Sequence, residues 1–175
     1  MNPNNWFTVL YFCAIATLLS ASYGWLVKQE KLPFNLVMAY TDAQFKFIKA
    51  WINVALLLGI IIPIVIWIAL WDITSVRTFF HYYLFAVAVQ LASERILNLT
   101  LCTSAVVISG TLYTGFRIWQ LWSGLHSSAY QQPWLLLFWS VLLFWVANMI
   151  MLITVAIPSI FPKSDGFSLS KEKTD

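Results

Sequence analysis

Apolar residues in this chain run in blocks too long for a soluble core and too unbroken for strands. Residues 6–27, 50–71 and 134–161 contain no Asp, Glu, Lys or Arg. A barrel strand alternates apolar and polar positions over about 10 residues, whereas a membrane helix needs about 20 apolar residues in succession. Each block therefore predicts a transmembrane helix. Trp6 and Trp25 bracket the first block, about 28 Å apart along a helix, and Trp51 and Trp71 bracket the second. Tryptophans so spaced belong at the two membrane interfaces.

Residues 78–122 form a longer stretch whose only charges are Glu94, Arg95 and Arg117. As one helix it would measure roughly 67 Å, more than twice the hydrocarbon thickness, so it must fold back. Asn98-Leu99-Thr100 is the best turn signal, because Asn tolerates the left-handed position after a helix and Thr caps the next. The resulting expectation is an all-α, polytopic membrane protein with five spans, near 6–27, 50–71, 78–97, 101–122 and 134–161. Four spans remain the alternative, with residues 98–122 along the surface.

Between the first two blocks, residues 28–49 are polar but carry Phe34, Val37, Met38, Thr41, Phe45 and Ile48 at helical spacing. That pattern suits a segment lying in the interface. Thr41-Asp42-Ala43-Gln44 reads as a capping box, placing the second helix start near Asp42. Pro63 should kink that helix, and Pro158 with Pro162 should end the fifth. Residues 1–162 read as one bundle, and the charged, Ser-rich 163–175 as a disordered cytoplasmic tail.

Charge sets the orientation. Five spans put Lys28, Lys31, Lys46, Lys49, Arg95, Lys163, Lys171 and Lys173 on one side and leave Arg77 and Arg117 on the other. Positive residues stay cytoplasmic, so the N-terminus is expected outside and the C-terminus inside. The first five residues hold no Lys or Arg, which favours a retained span over a secretory signal.

Composition agrees. The chain is 61% hydrophobic and 10% charged, against about 25% charged in soluble domains. It carries a net charge of +3 with no basic block interleaved with aromatics, which excludes a nucleic-acid surface. Cys13 and Cys102 fall inside apolar blocks and read as buried thiols. No metal-ligand spacing is present, and no motif implies a cofactor.

Few residues offer chemistry. Gln90, Glu94 and Asn98 recur every four residues on one helix face, with Tyr83 nearly aligned and Arg95 adjacent to Glu94. A carboxylate in hydrocarbon is a functional candidate; at the cytoplasmic helix end it would only meet headgroup water, and that second placement is expected here. His81 and His126 form a second candidate pair, on the outer side, for a haem or metal ligand. The fourth block is rich in small residues: Thr103, Ser104, Ala105, Ser109, Gly110, Thr111, Thr114 and Gly115. Such spacing suits close helix packing, within the chain, with other membrane chains or in a homo-oligomer. Asn148 is expected to bond across to one of these hydroxyls. The sequon Asn98-Leu99-Thr100 falls on the expected inner side and is discounted.

Three functional expectations follow. The first is an accessory or scaffold subunit of a larger membrane complex. The second is a small transporter or channel lined by the Gln90/Glu94/Asn98 face. The third and weakest is an enzyme acting on a lipid or quinone. The membrane expected from composition is a bacterial plasma or thylakoid membrane.

Overall fold

A computed structural model of the chain describes residues 3–38, 40–127 and 130–162. The tail 163–175 lies outside the described residues. Among them are five long helices and no strand. We number them α1 (Trp6–Lys28), α2 (Asp42–Ala69), α3 (Thr74–Thr100), α4 (Thr103–Ser127) and α5 (Trp134–Ile160). α1, α2 and α5 are long and apolar enough to cross a membrane.

Local sequence explains the helix starts. Asn5 caps α1 by accepting from the Thr8 amide, and the Thr41/Gln44 capping box opens α2. α2 and α5 share an irregularity. The Ile62 amide bonds to the Leu57 carbonyl and the Ile157 amide to the Leu152 carbonyl, five residues back rather than four. A proline follows at once in each case, Pro63 and Pro158. The widened turn takes up the ring that would otherwise clash with the preceding turn. For this reason α5 continues through Pro158 to Ile160, within a residue of the expected bound at 161.

The fold-back comes later than the sequence suggests. α3 runs through Asn98-Leu99-Thr100, and the chain reverses at Leu101 and Cys102. Asn98, Leu99 and Thr100 are exposed and need no special backbone. Lys28 Nζ donates to the Thr100 carbonyl at 2.8 Å, so the end of α1 caps the end of α3. Residues 29–38, 40 and 41 are irregular rather than helical. Asn35 donates from its amide to the Ile160 carbonyl and from Nδ2 to the Phe161 carbonyl, at 2.8 and 2.9 Å. Thr103 Oγ1 donates to the Leu36 carbonyl at 3.1 Å. The end of α1, the α3–α4 turn and the end of α5 therefore meet at one pole of the bundle.

α4 is the central helix and packs on α1, α3 and α5. Ala105, Ser109, Tyr113 and Leu121 are fully buried along it. Against α1, Tyr113 and Phe116 pack with Val9, Cys13 and Ala16. Gly24 of α1 faces Ala105 so closely that a Cβ there would stand 2.7 Å from the alanine Cβ. The outward faces of α1, α2 and α5 are apolar: Leu18, Ile68 and Leu136 are 65%, 63% and 67% exposed. Water would penalise that surface, and lipid accommodates it.

Candidate functional site

A half-enclosed cavity of about 290 Å³ opens between α2, α3, α4 and α5. Its shape follows from α2. No residue of Asp42–Leu56 is buried, whereas Gly59, Pro63 and Ile66 beyond the widened turn are. The second half of α2 is thus packed into the bundle, and the first half forms a loosely held outer wall. Met38 and Tyr40 reach the cavity at the pole where the loop and helix ends meet, and Arg117 and Trp145 lie at its deep end. Along α4, Arg117 is roughly 21 Å from the Thr103 end.

The walls are mainly apolar, with the polar groups in two sets. At the deep end Arg117 is 2% exposed, and its guanidinium carbon stands 4.2 Å from the centre of the Trp145 ring. Its Nε has no hydrogen-bond partner. Arginine stays protonated; the Arg117 and Glu94 charges act on each other, but the buried Nε lacks the anionic or carbonyl acceptor it usually has. On the α3 wall, Gln90 donates from Nε2 to Glu94 Oε1, while Gln90 Oε1 is buried without a partner. Gly110 of α4 faces Glu94: a Cβ there would stand 3.6 Å from the carboxylate oxygen.

Between the two sets, α2, α4 and α5 are stitched together. Trp51 Nε1 donates to Asn148 Oδ1 at 2.8 Å, and Asn148 Nδ2 donates to Thr114 Oγ1 at 3.0 Å. The bond expected from Asn148 to a fourth-helix hydroxyl is thus present. Behind Arg117 runs a second relay. Trp145 Nε1 donates to the Tyr83 hydroxyl, which donates to the Gly59 carbonyl, both at 2.8 Å. That carbonyl is the acceptor Pro63 cannot use, four residues on, because proline has no N–H. Tyr83 fills the gap the proline leaves.

The structure divides the residues singled out from sequence. Gln90 and Glu94 line the cavity; Arg95 and Asn98 are exposed. Each four-residue step overshoots a helical turn by about 40°, so two steps carry Asn98 off the face of Gln90. His81 is exposed beside Trp67 and Trp71, and His126 is exposed against Trp122. Among the described residues no group of three or more His, Cys, Asp or Glu is placed to hold a metal. Of the small residues of α4, Ala105 meets α1, Gly110 and Thr114 line the cavity, and a Cβ on Gly115 would stand 3.3 Å from Met149. Thr111 bonds its own helix, to the Val107 carbonyl. Buried Ser109 Oγ has no partner.

Arg117 is what sequence reasoning passed over. It reads there as a flanking charge, yet it lies inside the bundle, roughly 15 Å from the Ser127 end of α4. The signal was present: Arg117 is the lone charge in residues 96–122. An isolated cation in an apolar block marks a site.

Comparison with known proteins yields no match: neither a family model, nor a curated protein, nor a solved structure resembles the chain significantly.

Proposed function

We propose that this is a five-span membrane protein that binds a small organic ligand inside its bundle, at a cavity reached from the cytoplasmic pole. The observation that carries the reading is Arg117, buried at the deep end of an open cavity with no protein acceptor for its Nε. An arginine at membrane depth is expensive, and the expense is tolerable where a bound group or water meets it. A mainly apolar pocket with a few convergent polar groups is the usual form of a small-molecule site.

Five crossings draw support from the geometry of the poles. An odd number of spans sends the first loop, the α3–α4 turn and the end of α5 to the same side, and these three meet. α3 and α4 have 27 and 25 residues, long enough to span. α4 is less apolar than its neighbours because other helices surround it, whereas α3 has one face on the cavity and another, with Arg95, Asn98 and Leu99, exposed. With Arg117 inside, the pole opposite the lysines keeps only Arg77, which strengthens the N-outside orientation. Of the earlier alternatives, the transporter reading, with Gln90 and Glu94 lining the path, fits this site. The scaffold reading, drawn from sparse chemistry, a small-residue helix and abundant Trp and Phe, gains no support from this site, because Ala105, Gly110, Thr114 and Gly115 of α4 meet partners within the chain.

Native mass spectrometry of protein extracted from its own membranes in mild detergent tests the proposal. A one-to-one small-molecule adduct on the wild type, reduced in Arg117→Gln, is expected. Absence of any adduct, or one unchanged in that variant, would refute it.

A further inference from the structure

Resting on that reading, we infer that the ligand is a zwitterionic amphiphile: an acid anion and an ammonium group a few bonds apart, with an apolar tail. The cavity has a donor pole and an acceptor pole. Arg117 presents guanidinium N–H groups, with Nε lacking a protein acceptor, so that end calls for an anion. Glu94 and the unpartnered Gln90 Oε1 sit on the α3 wall, nearer the α3–α4 turn, where Gln90 Nε2 is the donor meeting the carboxylate. That end accepts and calls for a cation.

The two poles also balance. Glu94 is the only acidic side chain among the residues lining the cavity, and Arg117 the only basic one. The two charges act on each other, and in a low-dielectric enclosure a ligand of net charge would upset that balance at high cost. A zwitterion pairs both. The remaining lining defines the tail. Ile52, Leu56 and Ile60 of α2 face Leu91, Val107 and Leu152, a surface that receives an aliphatic or aromatic group and nothing polar. Two sources supply this chemistry, a free apolar amino acid or the headgroup region of an aminophospholipid.

The test is a binding panel on wild-type protein in detergent, read by thermal shift and by native mass spectrometry. The probes are leucine, its deaminated acid 4-methylpentanoate, its decarboxylated amine 3-methylbutylamine, dihexanoyl phosphatidylethanolamine and dihexanoyl phosphatidylglycerol. Leucine or the phosphatidylethanolamine should bind, and the partner compound lacking one charge should bind at least about tenfold more weakly, because a buried pole is then left unpaired. Which zwitterion binds identifies the source. Glu94→Gln should narrow the preference for leucine over 4-methylpentanoate.

The acid or the phosphatidylglycerol binding as well as its zwitterionic counterpart would overturn the inference while leaving the intramembrane site standing, provided Arg117→Gln abolishes that binding. No binding by any of the five would overturn the inference as well, and the adduct experiment above then decides the fate of the site itself.

Discussion

The central helix α4 and the apolar trio α1, α2 and α5 solve opposite problems. Each helix of the trio has a long charge-free stretch and turns much of its surface outward; α4 carries Arg117 and Gln120 and turns them inward, while α3 has Gln90 and Glu94 on the cavity and Arg95, Asn98 and Leu99 exposed. The lower hydropathy of α4 thus goes with what surrounds it. A helix facing lipid must be greasy on nearly every side. One ringed by other helices can hold polar groups, because its neighbours provide a shield and some partners. Gly24 is the place where α1 of the trio presses onto α4, while Gly59 of α2 meets Trp145 of α5 within the trio.

Substitutions on matched positions can break this contrast. The largest effect is expected at Trp145, which packs on Arg117 and bonds Tyr83. Trp145→Ala should cost about 3–5 kcal/mol in denaturant unfolding in micelles. The outward Trp139→Ala on the same helix should cost far less, and equal losses would deny the inner–outer division. A charge on the lipid face comes next. Leu143 is 61% exposed, and Leu143→Arg should oppose insertion of α5 by about 2.5–3.5 kcal/mol in a translocon insertion assay.

Gly24→Ala puts a methyl against Ala105 and should destabilise by about 1–3 kcal/mol, visible as a lower unfolding midpoint. An unchanged midpoint would mean that α1 is not seated on α4 as described. The smallest effect tests the proline gap. Tyr83→Phe leaves the Gly59 carbonyl without its partner and should cost about 1–2 kcal/mol. Combined with Pro63→Ala, which restores an N–H to that carbonyl, the loss should shrink; additive losses would remove the proposed coupling.

Much of the fold is readable from residue order. The three charge-free blocks, the need for residues 78–122 to double back and the Thr41/Gln44 cap all follow from spacing and hydrogen-bonding capacity. The exact reversal is not, because Asn98 and Thr100 are good turn formers locally, and the Lys28 bond that rewards a longer α3 comes from 72 residues away. The site was half legible. Gln90 and Glu94 announce themselves as polar residues on one face, but the same periodicity enrols Asn98, which the helix carries round to the surface.

Sequence alone determined that three blocks of this chain are long and apolar enough to cross a membrane, since solvent transfer energies depend on composition and run length. Tertiary structure alone decided that Arg117 is interior and aimed at a cavity shared with Glu94. Burial and pairing depend on which helices become neighbours, and that is set by packing between residues far apart in the chain. The widened turns before Pro63 and Pro158 show both influences. The prolines are written in the sequence, but whether they end, bend or widen a helix depends on partners such as Tyr83, which only the folded bundle supplies.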